Sequence, residues 1–169
     1  HWQAIDGHRE AIGKPLDATS GHGKGITNKW NNETKKISLK QKEVLEKQVE
    51  DSQKLADVLS SSQKKISKKI NYFIQVNIGG EIQKSGIPYN EVDAFYNYCS
   101  KENKMNILGL MAIPPNDDKT ENHFRSLSEL NASLGFKELS MGMSGDYMKA
   151  VNYKASYLRI GSSIFGDRN

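Results

Sequence analysis

The sequence predicts an α/β fold built on a parallel sheet, and three observations carry that expectation. Short apolar strands alternate with amphipathic helices in the order αβαβαβαβ. Each connection is long enough to be a helical crossover, which returns the chain in the same direction and makes neighbouring strands parallel. The strands are nearly continuous apolar runs, as a sheet covered on both faces requires. Two architectures satisfy these conditions, a doubly wound open sheet and part of a (β/α)8 barrel.

The elements follow in order. Ser38–Glu50 is rich in helix formers, with Leu39, Val44, Leu45 and Val49 as a thin apolar stripe. Asp51 or Ser52 can cap a further helix that buries Leu55, Val58, Leu59, Ile66 and Ile70. Lys64, Lys65, Lys68 and Lys69 form its solvated C-terminal face. Tyr72–Ile78 reads as a strand ended by Gly79-Gly80. A helix after Pro88 carries Val92, Phe95, Tyr96 and Cys99 on one face. Ile107–Ile113 is a continuous apolar strand stopped by Pro114-Pro115. Phe124, Leu127, Leu130 and Leu134 mark the next helix. Glu138–Met143 is a strand followed by a short helix over about Gly145–Lys154, and Tyr157–Gly166 is a strand running into a Gly/Ser turn.

Residues 1–50 have a different texture. They hold three of the four histidines and both tryptophans, and Gly21–Glu33 reads as loop or disorder. The chain therefore divides into an unassigned, loop-rich 1–50 and a 51–169 segment carrying the strands. The chain has 169 residues, below the roughly 250 of a full barrel. Residues 1–50 cannot supply four more strand–helix units. The chain begins with His1, so it is expected to be processed or a fragment, and its first residues show no apolar signal-peptide region.

Composition narrows the classes of function. Net charge is +4 with 24 Lys+Arg against 20 Asp+Glu, a surplus too small and too dispersed to argue for nucleic acid. No run approaches the about 18 apolar residues of a membrane span. A single cysteine, Cys99, allows no internal disulfide and points to a reducing, cytoplasmic setting. Its place on an apolar stripe marks it as a buried structural thiol.

The polar residues gather at strand ends, where both parallel folds place ligands. Ser144 follows one strand and is positioned to cap the short helix. Arg159 lies in the last strand, which runs into Gly161-Ser162-Ser163. Backbone N–H groups there form a donor cluster, and two such clusters on adjacent strands suit a phosphate. Other motifs explain less. Gly21-His22-Gly23-Lys24-Gly25-Ile26-Thr27 lacks the Ser/Thr directly after its lysine and the preceding strand that a P-loop needs. His1, His8 and His22 fit no common metal spacing. Asp117-Asp118 and Asp146 make no acid/base pair, and Lys84 reads as a loop lysine near the pocket mouth.

FIQVNIGGEIQKSGI, ILGLMAIPP, LSMGMSGDYMKAV and YLRIGSSIFGDR, in that order and spacing, resemble the YggS/PROSC family of pyridoxal phosphate homeostasis proteins. That family is related to the barrel domain of alanine racemase. The resemblance spans about Asp51 to Arg168. It implies the second half of a (β/α)8 barrel, with the first half missing or altered, and pyridoxal 5′-phosphate (PLP) as cofactor. It implies that Ser144 and the Gly161-Ser162 backbone hold the phosphate, that Arg159 faces the pyridine nitrogen, and that Asn77 and Met111 line the ring pocket. The role implied is cofactor homeostasis rather than turnover. An enzyme of the alanine-racemase type, or a fragment without activity, are the alternatives. The family's lysine strand, in a motif like AVSKTKP, and its FGENY-like and HFIG-like strands do not occur here. Lys14, Lys24 and Lys29 lie in polar context without a strand, so no Schiff-base lysine is assigned. A half-barrel leaves open sheet edges, which favour self-association.

Overall fold

Helix formers dominate the chain from Thr34 onward, and they propagate one helix much longer than the sequence pattern suggests. In the computed structural model, which describes residues 21–66 and 69–166, α1 runs Gly21–Ile66 without a break. Gly21–Glu33, expected to be loop, is its first part. The physical reason is cooperativity: once a strong segment has nucleated, each added residue costs only propagation. Asp51 and Ser52 are not caps either, because they lie inside α1. The Ser52 hydroxyl donates to the Gln48 carbonyl one turn back at 2.7 Å. The expectations placed on His1, His8 and Lys14 lie outside the described residues, as do the side chains of His22, Lys24 and Lys29. The chain divides into two units, residues 1–42 and 43–169, and the second holds the sheet.

The remaining elements are β1 (Asn71–Asn77), β2 (Ile87–Pro88), α2 (Val92–Asn97), β3 (Asn106–Met111), α3 (Thr120–Ser133), β4 (Glu138–Met143), α4 (Tyr147–Asn152), β5 (Tyr157–Arg159) and α5 (Ser162–Phe165). A π-helical turn over Tyr98–Glu102 extends α2. The sheet order is β2-β1-β3-β4-β5, and every pairing is parallel. Four strands stand where the sequence placed them. β2 is the addition, a two-residue strand containing a proline that pairs with Val76 and Asn77 at the edge. The last strand is shorter than expected: it ends at Arg159, and the Gly/Ser segment turns into α5.

Register fixes the two faces of the sheet. Ile74, Val76, Leu110, Leu139 and Met141 are buried with Val92 and Phe95 of α2, Phe124 and Leu127 of α3, and Ala150 of α4. On the other face, Phe73 pairs with Gly109, and Gln75 with Met111, which in turn pairs with Ser140. Phe73 of β1 and Tyr157 of β5 meet edge to face at 5.1 Å. Two strands lie between β1 and β5, so in a flat sheet the pair would stand about 14 Å apart. The sheet is therefore curled, with this face concave, as a barrel wall must be. Gly109 lets the strands approach: a Cβ there would collide with the Glu138 carbonyl oxygen.

One polar contact locks α3 to the sheet, and a second ties α1 to the turn that follows α2. The Asn131 side chain of α3 accepts the Leu110 N–H at 2.9 Å and donates to the Phe136 carbonyl at 3.3 Å. Asp57 of α1 accepts from the Tyr98 hydroxyl at 2.6 Å and from Asn103 at 3.0 Å. These hydrogen bonds hold the Asp57 carboxyl below its ordinary range. Cys99 is buried, as its stripe predicts, and desolvation pushes its thiol up to about 11.

Candidate functional site

The C-terminal ends of β4 and β5 lie side by side, with Met143 paired to Arg159. This brings Ser144 to Gly161. The Ser144 hydroxyl accepts the Gly161 N–H at 3.2 Å and the Ser163 N–H at 3.4 Å. Residues 17 and 19 positions apart thus form one cluster of a hydroxyl and two backbone donors. Gly161 has φ −113°, an ordinary value, and a Cβ built on it meets no atom within 4 Å. The fold itself does not demand glycine there. What the glycine keeps clear is the space beside the N–H donors.

The capping expectation for Ser144 needs correction. The N-cap of α4 is Asp146, whose carboxylate accepts the Met143 N–H at 2.7 Å while its own N–H donates to the Met143 carbonyl at 3.0 Å. Asp146 closes the turn and so leaves the Ser144 hydroxyl directed at β5 instead of α4. Ser162 opens α5 and is exposed.

Arg159 extends across the concave face toward β3. Its guanidinium donates to the Ser140 hydroxyl at 3.2 Å and to the Ala112 carbonyl at 2.7 Å. Its Nε is buried and has no partner. Burial lowers the guanidinium's proton affinity, and the Asp146 carboxylate opposes that shift. Met111 is Ser140's neighbour in register, so Met111, Ser140 and Arg159 share one patch of the concave face. Ser140 is 8% exposed and was missed in the sequence. The available signal was a polar residue inside an apolar strand, two positions from Glu138 and so on its face.

Asn77 is committed elsewhere. At the end of β1 it is buried, and its amide donates to the Glu81 carbonyl at 2.7 Å and the Lys84 carbonyl at 3.3 Å. Gln48 of α1 donates to the carbonyls of Ile82 and Lys84 as well, at 3.0 and 3.3 Å. Asn77 thus fixes the β1–β2 loop, while its Oδ1 is buried and unpaired. Lys84 pairs with Glu81 at 2.6 Å and Lys149 with Glu121 at 3.5 Å. Beside the Ser144 turn, a cleft of about 360 Å³ is lined by Pro114, Asp117, Thr120, Met143, Gly145 and Lys149, among others. Among the described residues no group of acidic, histidine or cysteine side chains could hold a metal ion, and no helix is long and apolar enough to cross a membrane.

A hydroxyl with two backbone donors, open space beside them, and a half-buried arginine with a buried, unpaired Nε–H suit a ligand with an anionic end and a ring acceptor. Comparison with known proteins gives this arrangement a family. The family model described as alanine racemase, N-terminal domain, matches residues 26–169, starting inside the segment left unassigned by the motifs. The pyridoxal phosphate homeostasis protein of Aquifex aeolicus is 34% identical over 127 residues, covering 70% of this chain and 56% of that protein. The human protein of the same name is 37% identical over 139 residues, covering 70% and 49%. The chain thus spans about half the length of the curated relatives it matches. PipY of Synechococcus elongatus, solved with PLP bound, superposes with a TM-score of 0.59 at 27% identity, covering 66% of this chain and 56% of PipY. PipY solved without PLP gives 0.61 at 28% identity, covering 66% and 57%. The curled parallel sheet is a partial α/β barrel wall, and the match across residues 26–169 shows that this chain belongs to the alanine racemase N-terminal domain family.

Proposed function

We propose that this chain binds pyridoxal 5′-phosphate at the ends of β4 and β5, and that its role is cofactor homeostasis rather than turnover. The observation that carries the reading is the Ser144 hydroxyl drawn onto the Gly161 and Ser163 N–H groups. Such a cluster holds a phosphate dianion through charge-assisted hydrogen bonds. The names of the relatives and the PLP-bound neighbour support it. Ser144 and the Gly161-Ser162 backbone take the phosphate, with the Ser163 N–H joining them.

Arg159 faces the pyridine nitrogen, and Met111 lines the ring side of the pocket. Asn77 contributes by fixing the loop over that end. When bound, PLP supplies an electron sink for amino-group chemistry. Arg159 is a permanent donor and keeps the ring nitrogen unprotonated, which weakens that sink. Alanine-racemase-type catalysis is the second reading; it needs a cofactor lysine and a second acid/base, and no lysine of this sequence matches the family's lysine motif. The two lysines ion-paired at this end, Lys84 and Lys149, are each held by a glutamate. No lysine of this sequence matches the family's Schiff-base motif, so binding is non-covalent and weak, in a cytoplasmic protein with no nucleic-acid or membrane partner.

A spectroscopic titration with PLP and with pyridoxal tests the proposal. Saturable binding of PLP, with pyridoxal at least tenfold weaker, is expected because the phosphate contacts dominate. Equal affinity for both compounds would overturn the phosphate assignment, and no binding of either would overturn the function.

A further inference from the structure

Arg159 is held from two sides. Its side chain leaves β5 and crosses β4 to the end of β3, and strands two apart are separated by about 10 Å. Over such a reach an arginine has many rotamers, and fixing one costs conformational entropy. Two acceptors make the choice. The Ala112 carbonyl takes one guanidinium N–H at 2.7 Å, and the Ser140 hydroxyl takes another at 3.2 Å. Ser140 acts on both, because its own carbonyl accepts the Ala112 N–H at 3.1 Å and so fixes that peptide. Ser140 sits among the buried residues Leu139, Met141 and Gly142 of β4. Packing does not call for a hydroxyl there, since a buried hydroxyl needs a partner and an alanine would not. The partner it has is Arg159.

The backbone sets the level at which the two meet. Ser140 pairs with Tyr157, yet Met143, and not Gly142, pairs with Arg159. One extra residue therefore lies in β4 between them, where Gly142 has φ +92° and a Cβ would collide with the Ala150 side chain. Bulges of this kind re-aim side chains beside binding sites. This one leaves Ser140 on the concave face, while Ser144, beyond it, reaches Gly161. Of the five N–H donors of the guanidinium, the Nε–H keeps no acceptor among the described residues.

We propose that Ser140 is a positioning residue that aims the Arg159 guanidinium at the ring acceptor of the cofactor, and so sets the site's preference for a pyridine ring over a carbocyclic one. The inference rests on the cofactor reading above and adds to it the residue that makes the ring end selective. Ser140→Ala leaves the charge and the Ala112 tether in place but frees the guanidinium among rotamers. The loss then falls on a ligand that uses its ring nitrogen.

Titration of the wild type, Ser140→Ala and Ser140→Thr with PLP and with its deaza analogue, in which a C–H group replaces the ring nitrogen, tests this. The wild type should prefer PLP by about tenfold or more, as a hydrogen bond from a charged donor allows. Ser140→Ala should lose about two- to tenfold in PLP affinity, the cost of re-ordering one long side chain, and lose less for the analogue. Ser140→Thr keeps the hydroxyl and should restore the preference. In the ligand-free chain, the Arg159 Nε–H should exchange with water faster in Ser140→Ala than in the wild type. Equal losses for both ligands in Ser140→Ala would show a merely structural role and overturn the inference. So would a Thr variant that behaves like the Ala variant, or an unchanged Nε–H exchange rate. A wild type that binds both ligands equally would overturn it while leaving the phosphate assignment standing. A wild type that binds neither would remove the cofactor reading and this inference with it.

Discussion

On the proposed reading Ser144, Gly161 and Arg159 divide the work of the site, and each predicts a different loss. Ser144→Ala removes one hydroxyl contact to a dianion, worth about 1.5–3 kcal/mol, so PLP affinity should fall roughly ten- to a hundredfold. Gly161→Val should cost more, because its side chain enters the open space beside the donors without meeting the protein. Arg159→Ala should weaken PLP while sparing inorganic phosphate, since its guanidinium bonds to Ser140 and Ala112 on the concave face and not to the Ser144 cluster. Titration of each variant with both ligands checks all three, and an equal loss of both ligands in Arg159→Ala would place Arg159 in the anion site. Their place at neighbouring strand ends was legible in the sequence because strand ends collect ligands in parallel folds, while the role given to Arg159 came only from the family resemblance. The mutual bonding of Ser144 with Gly161 and Ser163 was not legible, because Asp146 captures the turn that Ser144 was expected to cap.

At the scale of elements, four strands were legible because apolar runs bounded by Gly and Pro have few other readings. α1 was not, since its first residues are poor helix formers carried by the stronger ones behind them. β2 was not, since two residues make no pattern. The way elements are joined predicts stability. Asn131→Ala would leave the Leu110 N–H buried without its acceptor, at a cost of about 1–3 kcal/mol in denaturant unfolding. Unchanged stability would mean that the α3–β3 lock is not needed. Cys99 predicts a pH effect. Its folded thiol is raised from 9.0 to about 11, so its contribution is fully present below pH 9.0 and lost as the unfolded chain ionises first. Between those values the wild type should lose up to about 1.4 kcal/mol per pH unit relative to Cys99→Ala. Parallel stability curves for the two would contradict the burial of the thiol.

For the whole molecule, a partial barrel was legible from the four ordered motifs, and the family match supports a partial barrel while starting at residue 26, inside the segment the motifs left unassigned. The motifs that carry the family's lysine have no counterpart here, which predicts how the cofactor is held. Borohydride reduction of the PLP-treated chain should leave its mass unchanged; a stoichiometric adduct on one lysine, with Lys84 the first to inspect, would show a covalent bond instead. The central claim is that the cluster at the ends of β4 and β5 binds PLP. Amide nitrogen–proton spectra recorded during a PLP titration test it most directly, because they report each donor separately. The account predicts saturable shifts of the Gly161 and Ser163 amides together with the Arg159 Nε–H, and movement of the two backbone amides alone with inorganic phosphate. Shifts centred on Leu55, Tyr72 and Ile87, with Gly161 and Ser163 unmoved, would contradict it.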